Sequence, residues 1–393
     1  MNIHQMRKID FLFGGVICFF LEIYEKLVSK YFQKKQKPRD VKKILVSKYL
    51  GMGSIILATP MLRTLRQQFP DVKIVLLTFA GNALLARQLN LTDEIMAIRT
   101  SSFGVFARDF LMALLNIRRE HFDVVFDLEF FPRFSTIVSY LSGAETRIGY
   151  YLPKMWRGEL LTHHIHFNPH RHVTEIFAAQ LAPFNIEVTD FRLSAPAVNA
   201  DKLAQLRQRL REYGVSEDAR LLAVNVNASD LSTERRWPKD YFVELLNYIT
   251  ATYPQIMIVL IGAKDETDYV NTVYQSLSAQ SQTQVLNLAG RLDIEELIAL
   301  FTLSDLFITN DSGPLHIASS LGIPTVAFFG PETPSLYGPP KETSTVFYAR
   351  RYCSPCLSVY NAKQAMCNGD NRCMREITVS EVINTLEKKG LFL

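Results

Sequence analysis

The chain has 393 residues, 48% hydrophobic and 21% charged, which supplies material for large cores and a length that suits two domains rather than one. That composition excludes a disordered chain, and a formal net charge of only +4 gives no reason to expect a nucleic-acid partner. The basic excess is local: Arg7, Lys8, Lys26, Lys30, Lys34, Lys35, Lys37, Arg39, Lys42 and Lys43 crowd the first 43 residues and point to an acidic surface there.

The first element explains that bias. Residues 11–21, "FLFGGVICFFL", carry no charge, yet the run is too short to cross a bilayer, which takes about 20 apolar residues. A cleavable signal fits poorly, because no small-residue cleavage site follows and Glu22 and Glu25 interrupt the apolar run. Aromatic and aliphatic side chains beside a lysine-rich stretch suit a helix lying in the membrane interface against anionic cytoplasmic-leaflet lipids. The competing reading is a helix packed on its own domain.

After "KKQKPRD" the grammar changes to alternating strands and helices. "KKILVSKYL" reads as a strand, "GMGS" as a turn, and residues 55–69 set Ile55, Ala58, Leu62, Leu65 and Phe69 at helical spacing before the strand "VKIVLLT". Pro60 falls inside the helical pattern, so a kink or a restart is expected there. "HFDVVFDLE" reads as another buried strand, ending in Asp127 and Glu129 where ligands of such sheets gather. "APFNIEVTDFRLSAPAVNA" has two prolines and no helical period, which puts the interdomain connection in residues 183–200.

The same grammar restarts near residue 219. Strand-like "RLLAVNV", "IMIVLIG", "QVLNLAG", "DLFITN" and "TVAFFG" alternate with helical "YFVELLNYITATY", "DETDYVNTVYQSL" and "DIEELIALFTLS". The expected fold is α/β, with two doubly wound Rossmann-like domains facing a central cleft. Within the second, "DLFIT" runs into Asn310, Asp311, Ser312 and Gly313, and Pro314 opens a helix carrying Leu315, Ala318 and Leu321. A helix N-terminus aimed out of a strand edge is an anion site, to which Ser312 would add a hydroxyl. Asp311 suits acceptance from a sugar hydroxyl, and His316 either approaches a phosphate or packs beneath the loop. A second polar cluster, "NVNASDLSTERRWP", contributes Ser229, Arg235 and Arg236, with guanidinium groups suited to phosphate. The bland alternative is a capped βαβ turn without ligand.

These segments resemble glycosyltransferase family 9, the heptosyltransferase-like enzymes of lipopolysaccharide assembly. The resemblance covers most of residues 41–385 and rests on "GMGSIILATPMLRTLRQQFP", "LSGAETRIGY", "RRWP", the long block "AGRLDIEELIALFTLSDLFITNDSGPLHIASSLGIPTVAFFGPETP" and "CSPC". It implies a GT-B architecture, inverting transfer from a nucleotide-activated sugar to a cell-envelope glycolipid or polysaccharide, no metal required for catalysis, and nucleotide binding mainly by the C-terminal half. It also implies donor-binding roles for Asp311, Ser312, Gly313, Leu315 and His316, and places Arg235 where a basic residue faces the phosphates. The corresponding division is a membrane-interface segment 1–40, an acceptor domain 41–195 and a nucleotide-sugar domain 196–393, on the inner face of the cytoplasmic membrane.

In heptosyltransferases of this family the glycine turn carries an aspartate thought to act as general base, whereas this chain has Ser54 after Gly51 and Gly53. A hydroxyl is too weakly basic for that task, so Ser54 reads as a helix N-cap and the base is expected at Asp127 or Glu129. Residues 163–172, "HHIHFNPHRH", hold five of the eight histidines and read as an exposed, partly positive loop rather than a metal site. Cys353, Cys356, Cys367 and Cys373 fit a structural zinc site or a set of reduced or partly paired thiols, with Cys18 apart in the N-terminal segment. Two other functions share the architecture: a catalytically silent nucleotide-sugar or glycolipid binder, suggested by Ser54, and a nucleotide-sugar epimerase.

Overall fold

The computed structural model describes residues 7–29, 41–130, 132–152, 156–228, 232–361, 363–367 and 369–392. The linker "KKQKPRD" and Ser229 lie outside the described residues. The chain divides into two units, Met1–Ser194 and Ala195–Leu393. Each holds a six-stranded sheet.

In the first unit the strands are β1 (Lys43–Ser47), β2 (Lys73–Phe79), β3 (Glu94–Ile98), β4 (Val124–Asp127), β5 (Thr146–Tyr151) and β6 (His163–His166). They are all parallel, in the order β3-β2-β1-β4-β5-β6. The order reverses between β1 and β4, so the chain leaves these neighbours in opposite directions and opens a crevice at their carboxyl ends. The register sets Ser47 beside Asp127 there. Continuous burial of Ile44, Leu45 and Val46 and of Val124, Val125 and Phe126 is what a strand covered on both faces requires.

Pro60 restarts the helix rather than kinking it. Met52–Leu57 ends at Ala58, and Thr59–Gln68 begins with Pro60 in its first turn, where no N–H is needed. The histidine segment differs from the expected loop. His163–His166 is the edge strand β6, with His164 stacked on Tyr151, and His172 caps the Val173–Ala178 helix. Its alternating half-buried and exposed pattern is the period of two expected of an edge strand, which the polar composition concealed.

The N-terminal segment is docked on its own unit along one side and exposed along the other. A π-helical stretch, Asp10–Gly14, runs into a helix over Gly15–Ser29. Its inner side is docked: Asp10 Oδ2 and Oδ1 accept from the amides of Arg133 (3.0 Å) and Phe134 (2.6 Å), capping a helix, Arg133–Leu141, whose own N-cap, Pro132, supplies no side-chain bond. Cys18 packs against Ile137 and Leu160, Glu25 accepts from the Tyr140 hydroxyl, and a Cβ on Gly14 would come within 2.9 Å of Arg133 Cβ. The outer side exposes Phe11, Leu12, Phe13, Val16, Ile17, Phe19, Phe20, Ile23, Tyr24 and Leu27. Among the described residues no helix is long and apolar enough to cross a membrane.

The second unit holds β7 (Arg220–Asn225), β8 (Ile256–Leu260), β9 (Val285–Asn287), β10 (Leu306–Asn310), β11 (Thr325–Phe329) and β12 (Ser344–Tyr348), parallel in the order β12-β11-β10-β7-β8-β9. The reversal falls between β7 and β10, with Asn225 in register with Thr309. Its core is built around Trp237, stacked 4.3 Å from Phe328 and donating from Nε1 to the Ile377 carbonyl.

Candidate functional site

The polar groups of the first unit collect where β1 and β4 end. Glu129 is almost wholly enclosed, and its Oε1 accepts from Lys48 Nζ at 2.8 Å and from the amides of Tyr49 and Leu50 at 2.7 and 2.9 Å. Lys48 is itself buried and also donates to the Leu50 carbonyl. One carboxylate oxygen thus holds the approach to the glycine turn. The other, Oε2, takes no hydrogen bond among the described residues.

Asp127 lies deeper and is fully buried. Its Oδ2 accepts from Ser135 Oγ at 2.7 Å and faces Arg157 Nη1 at 3.4 Å, while Oδ1 accepts from the Glu129 amide at 3.1 Å. Burial pushes its pKa up to about 6 against the opposing pull of Arg157 and Ser135. Burial acts in the other direction on the Arg157 guanidinium, lowering its pKa. Both carboxylates therefore reach the expected sheet edge, but Asp127 is closed in behind it.

Gly51 is the N-cap of the Met52–Leu57 helix and has φ +84°, a left-handed conformation that a side chain strains. Ser54 is consequently not the cap. It is the third residue of the helix, with its amide donating to the Gly51 carbonyl at 3.0 Å and its side chain half-buried. Gly53 is buried beneath it. The error has a simple source: the glycine at 51 already turns the chain, so the helix starts three residues earlier than a serine cap would place it.

In the second unit, β10 ends in a tightly bonded turn. Asn310 Oδ1 accepts from the Trp237 amide at 2.8 Å, and its Nδ2 donates to the Val226 and Asn227 carbonyls, each at 3.1 Å. Asn310 thereby joins the two loops across the β7/β10 reversal. Ser312 is the N-cap of the Gly313–Ser320 helix but makes no side-chain cap bond. Its Oγ instead accepts from Asn225 Nδ2 at 3.2 Å and bonds Thr309 Oγ1 at 2.9 Å. The hydroxyl expected to meet an anion is turned inward.

Arg235 and Asp311 come together. Arg235 Nη1 lies 3.3 Å from Asp311 Oδ2 and donates to its carbonyl at 3.1 Å. Arg236 points elsewhere, over the Tyr269 ring at 4.4 Å, with Nη2 donating to the Ala228 carbonyl. Leu315 and His316 are buried under the turn, which favours the packing role for His316. Sequence reasoning passed over Asn225, Asn227 and Thr309, whose part in the turn depends on strand register, and also Glu332. Glu332 is buried beyond β11 and paired with Lys363, which sits 4.4 Å from the Tyr337 ring centre. Desolvation raises the Glu332 pKa, the neighbouring Asp311 charge adds to the rise, and Lys363 opposes it.

The four C-terminal cysteines share one corner. Cys353 is exposed, Cys367 Sγ donates to Asn371 Oδ1, and Cys373 is buried in the Arg372–Arg375 helix beside Gly330. Among the described residues no three His, Cys, Asp or Glu side chains are gathered as metal ligands. All four thiols are free, and burial pushes that of Cys373 up to about 11. The segment braces the loop after β11: the amides of Cys356 and Leu357 both donate to the Pro331 carbonyl, at 2.9 and 2.8 Å.

Residues 114–366 match the family described as Glycosyltransferase family 9 (heptosyltransferase). A lipooligosaccharide heptosyltransferase 2 from Campylobacter jejuni is 31% identical over 172 residues, 43% of this chain and 51% of the relative. The chain thus spans about half the length of this relative. A lipooligosaccharide heptosyltransferase 2 from Haemophilus ducreyi is 26% identical over 77% of this chain and 87% of its own length. Among solved structures, a glycosyl transferase family 9 protein from Veillonella parvula superposes with a TM-score of 0.72 at 21% identity, over 90% of this chain and 97% of that one. That likeness establishes the two-sheet α/β architecture.

Proposed function

The chain belongs to glycosyltransferase family 9, and from that premise we propose that it is an inverting heptosyltransferase, moving heptose from a nucleotide-activated donor to a lipopolysaccharide or lipooligosaccharide acceptor. The observation that carries the reading is the β10 turn. It falls inside the matched region and joins a helix N-terminus, the Arg235–Asp311 pair and the buried Glu332 in one anion- and hydroxyl-binding set. The amides of Gly313 and Leu315, the positive end of the helix and Arg235 hold the diphosphate and stabilise the charge that grows on it as it leaves. Asp311 and Glu332 accept from hydroxyls of the donor sugar.

On the acceptor side the base is Glu129. Its Oε1 is fixed by Lys48 and two amides, which sets Oε2 in place to take the proton of the acceptor hydroxyl as that oxygen attacks the anomeric carbon opposite the leaving nucleoside diphosphate. Asp127, enclosed with Arg157, holds the turn from behind. No step in this scheme needs a metal. The acceptor is a membrane glycolipid, and the exposed apolar side of the Gly15–Ser29 helix is the surface on which the protein rests at the cytoplasmic face.

The test is transfer itself. Purified protein is given nucleotide-activated heptose with and without heptose-deficient lipopolysaccharide core, and nucleoside diphosphate and glycolipid product are both measured. Acceptor-dependent release of diphosphate, matched by product, is expected. Donor binding without release would support the silent binder, and acceptor-independent conversion of the donor would support an epimerase.

A further inference from the structure

The Phe103–Glu120 helix, which connects β3 to β4, has an outer face that the proposed chemistry does not use. Its inner side is fully engaged: Phe106 and Phe110 pack against Phe134, and Ile117 is buried in the same cluster. Its outer side exposes Phe103, Leu111, Met112 and Leu115 together with Arg108, Arg118 and Arg119. At roughly 100° per residue, Arg108, Leu111, Leu115 and Arg119 fall within an arc of about 80°. None of the three arginines forms an ion pair among the described residues, while both acids of the helix are taken at its sides, Asp109 by Arg99 and Glu120 by Lys43 and Lys73.

This helix and the N-terminal helix pack on the same Arg133–Leu141 helix, Phe106 and Phe110 through Phe134, and Cys18 through Ile137. The β3–β4 and β4–β5 crossovers move the same way along the sheet and so lie on the same side of it. Both free faces therefore belong to one side of the first unit. Leucines and a methionine interleaved with unpaired arginines, and no free acid, make a surface whose apolar groups enter the acyl boundary while the guanidinium groups reach headgroup phosphates. A second copy of the same face fits badly, because pairing it with itself would set three arginines against three.

We propose that the outer face of the Phe103–Glu120 helix is a second bilayer contact that binds anionic lipid headgroups, so that the first unit rests on the membrane at two places rather than swinging from its N-terminal helix. The proposal builds on the reading that the protein works at a membrane.

The full chain is tested by co-sedimentation with vesicles of phosphatidylcholine alone or with phosphatidylglycerol added. Replacing all three arginines (R108Q/R118Q/R119Q) should lower partitioning onto the anionic vesicles by about 100-fold, at roughly 5-fold per arginine, and change little on neutral ones. The charge-preserving R108K/R118K/R119K protein should bind as the parent does, and L111S/L115S should lose binding to both vesicle types. F13S/F20S, on the N-terminal helix, reports separately on the anchor. If the glutamine and serine variants of the Phe103–Glu120 helix partition like the parent while F13S/F20S falls, the second contact is refuted and the anchor stands. If the lysine variant loses binding as fully as the glutamine one, or if the arginine substitutions instead dissociate a dimer seen by sedimentation velocity, lipid charge is not what the face recognises.

Discussion

Glu129→Gln separates catalysis from architecture, because this side chain is assigned to both. An amide oxygen can still accept from Tyr49 and Leu50, but the Lys48 ammonium then loses its countercharge in a buried setting. Removing one member of a buried pair typically costs about 3–5 kcal/mol, which for a unit of this size lowers the melting temperature by roughly 6–20 °C. Loss of the proposed base should independently lower kcat by about 100- to 10,000-fold, with donor affinity spared because the proposed donor set lies in the other unit. The double variant Lys48→Met/Glu129→Gln removes the stranded charge and should recover most of the thermal loss while leaving kcat as low as in Glu129→Gln. Thermal unfolding and acceptor-dependent diphosphate release, measured on the same preparations, read the two effects. Recovery of turnover along with stability in the double variant would refute Glu129 as base and leave it only the task of holding the turn.

Asp127, with its pKa raised to about 6, favours its protonated form in the folded state, so the stability it contributes is full below the ordinary carboxylate range near 4 and is lost as pH rises through about 6. In Asp127→Asn, stability followed by denaturant titration from pH 4 to 7 should lack that decline, which amounts to as much as ~3 kcal/mol. Ser54→Ala should cost less than about tenfold in kcat, since a half-buried hydroxyl that neither caps the helix nor carries a proton at neutral pH has little to lose; a dead Ser54→Ala enzyme would contradict this. Arg235→Ala should weaken donor binding in calorimetry by about 1–3 kcal/mol, and unchanged affinity would remove it from the phosphate site. Asp10→Ala should lower the melting temperature of the first unit, because it uncaps the amides of Arg133 and Phe134 at a cost of about 0.5–2 kcal/mol.

The repeated strand–helix grammar was legible because buried parallel strands such as Ile44–Val46 and Phe307–Thr309 are short runs with a turn signal at each end. The helix opening at Gly313 was legible for the same local reason: Pro314 has no use elsewhere in a helix. What escaped depends on partners distant in sequence. Ser312 has the chemistry of an anion donor, but Asn225 and Thr309, brought alongside by the β7/β10 register, claim its hydroxyl. Asp127 and Glu129 are two residues apart with the same functional group, and only the three donors that gather on Glu129 Oε1, against the closed pocket of Asp127, tell them apart. Nor does the cysteine spacing disclose that Ser354, Cys356, Leu357 and Lys363 bond the Gly330–Glu332 loop. The N-terminal segment gave a mixed signal because its two sides do different things: Asp10, Gly14 and Cys18 dock, and the phenylalanines between them do not.

The central claim is tested most directly by adding nucleotide-activated heptose to the purified protein with and without heptose-deficient lipopolysaccharide core, and following nucleoside diphosphate. Release that depends on the acceptor, matches the heptosylated product and yields the anomer opposite to that of the donor is the predicted result. Saturable donor binding with no release in the presence of an acceptor that a related heptosyltransferase turns over would contradict it.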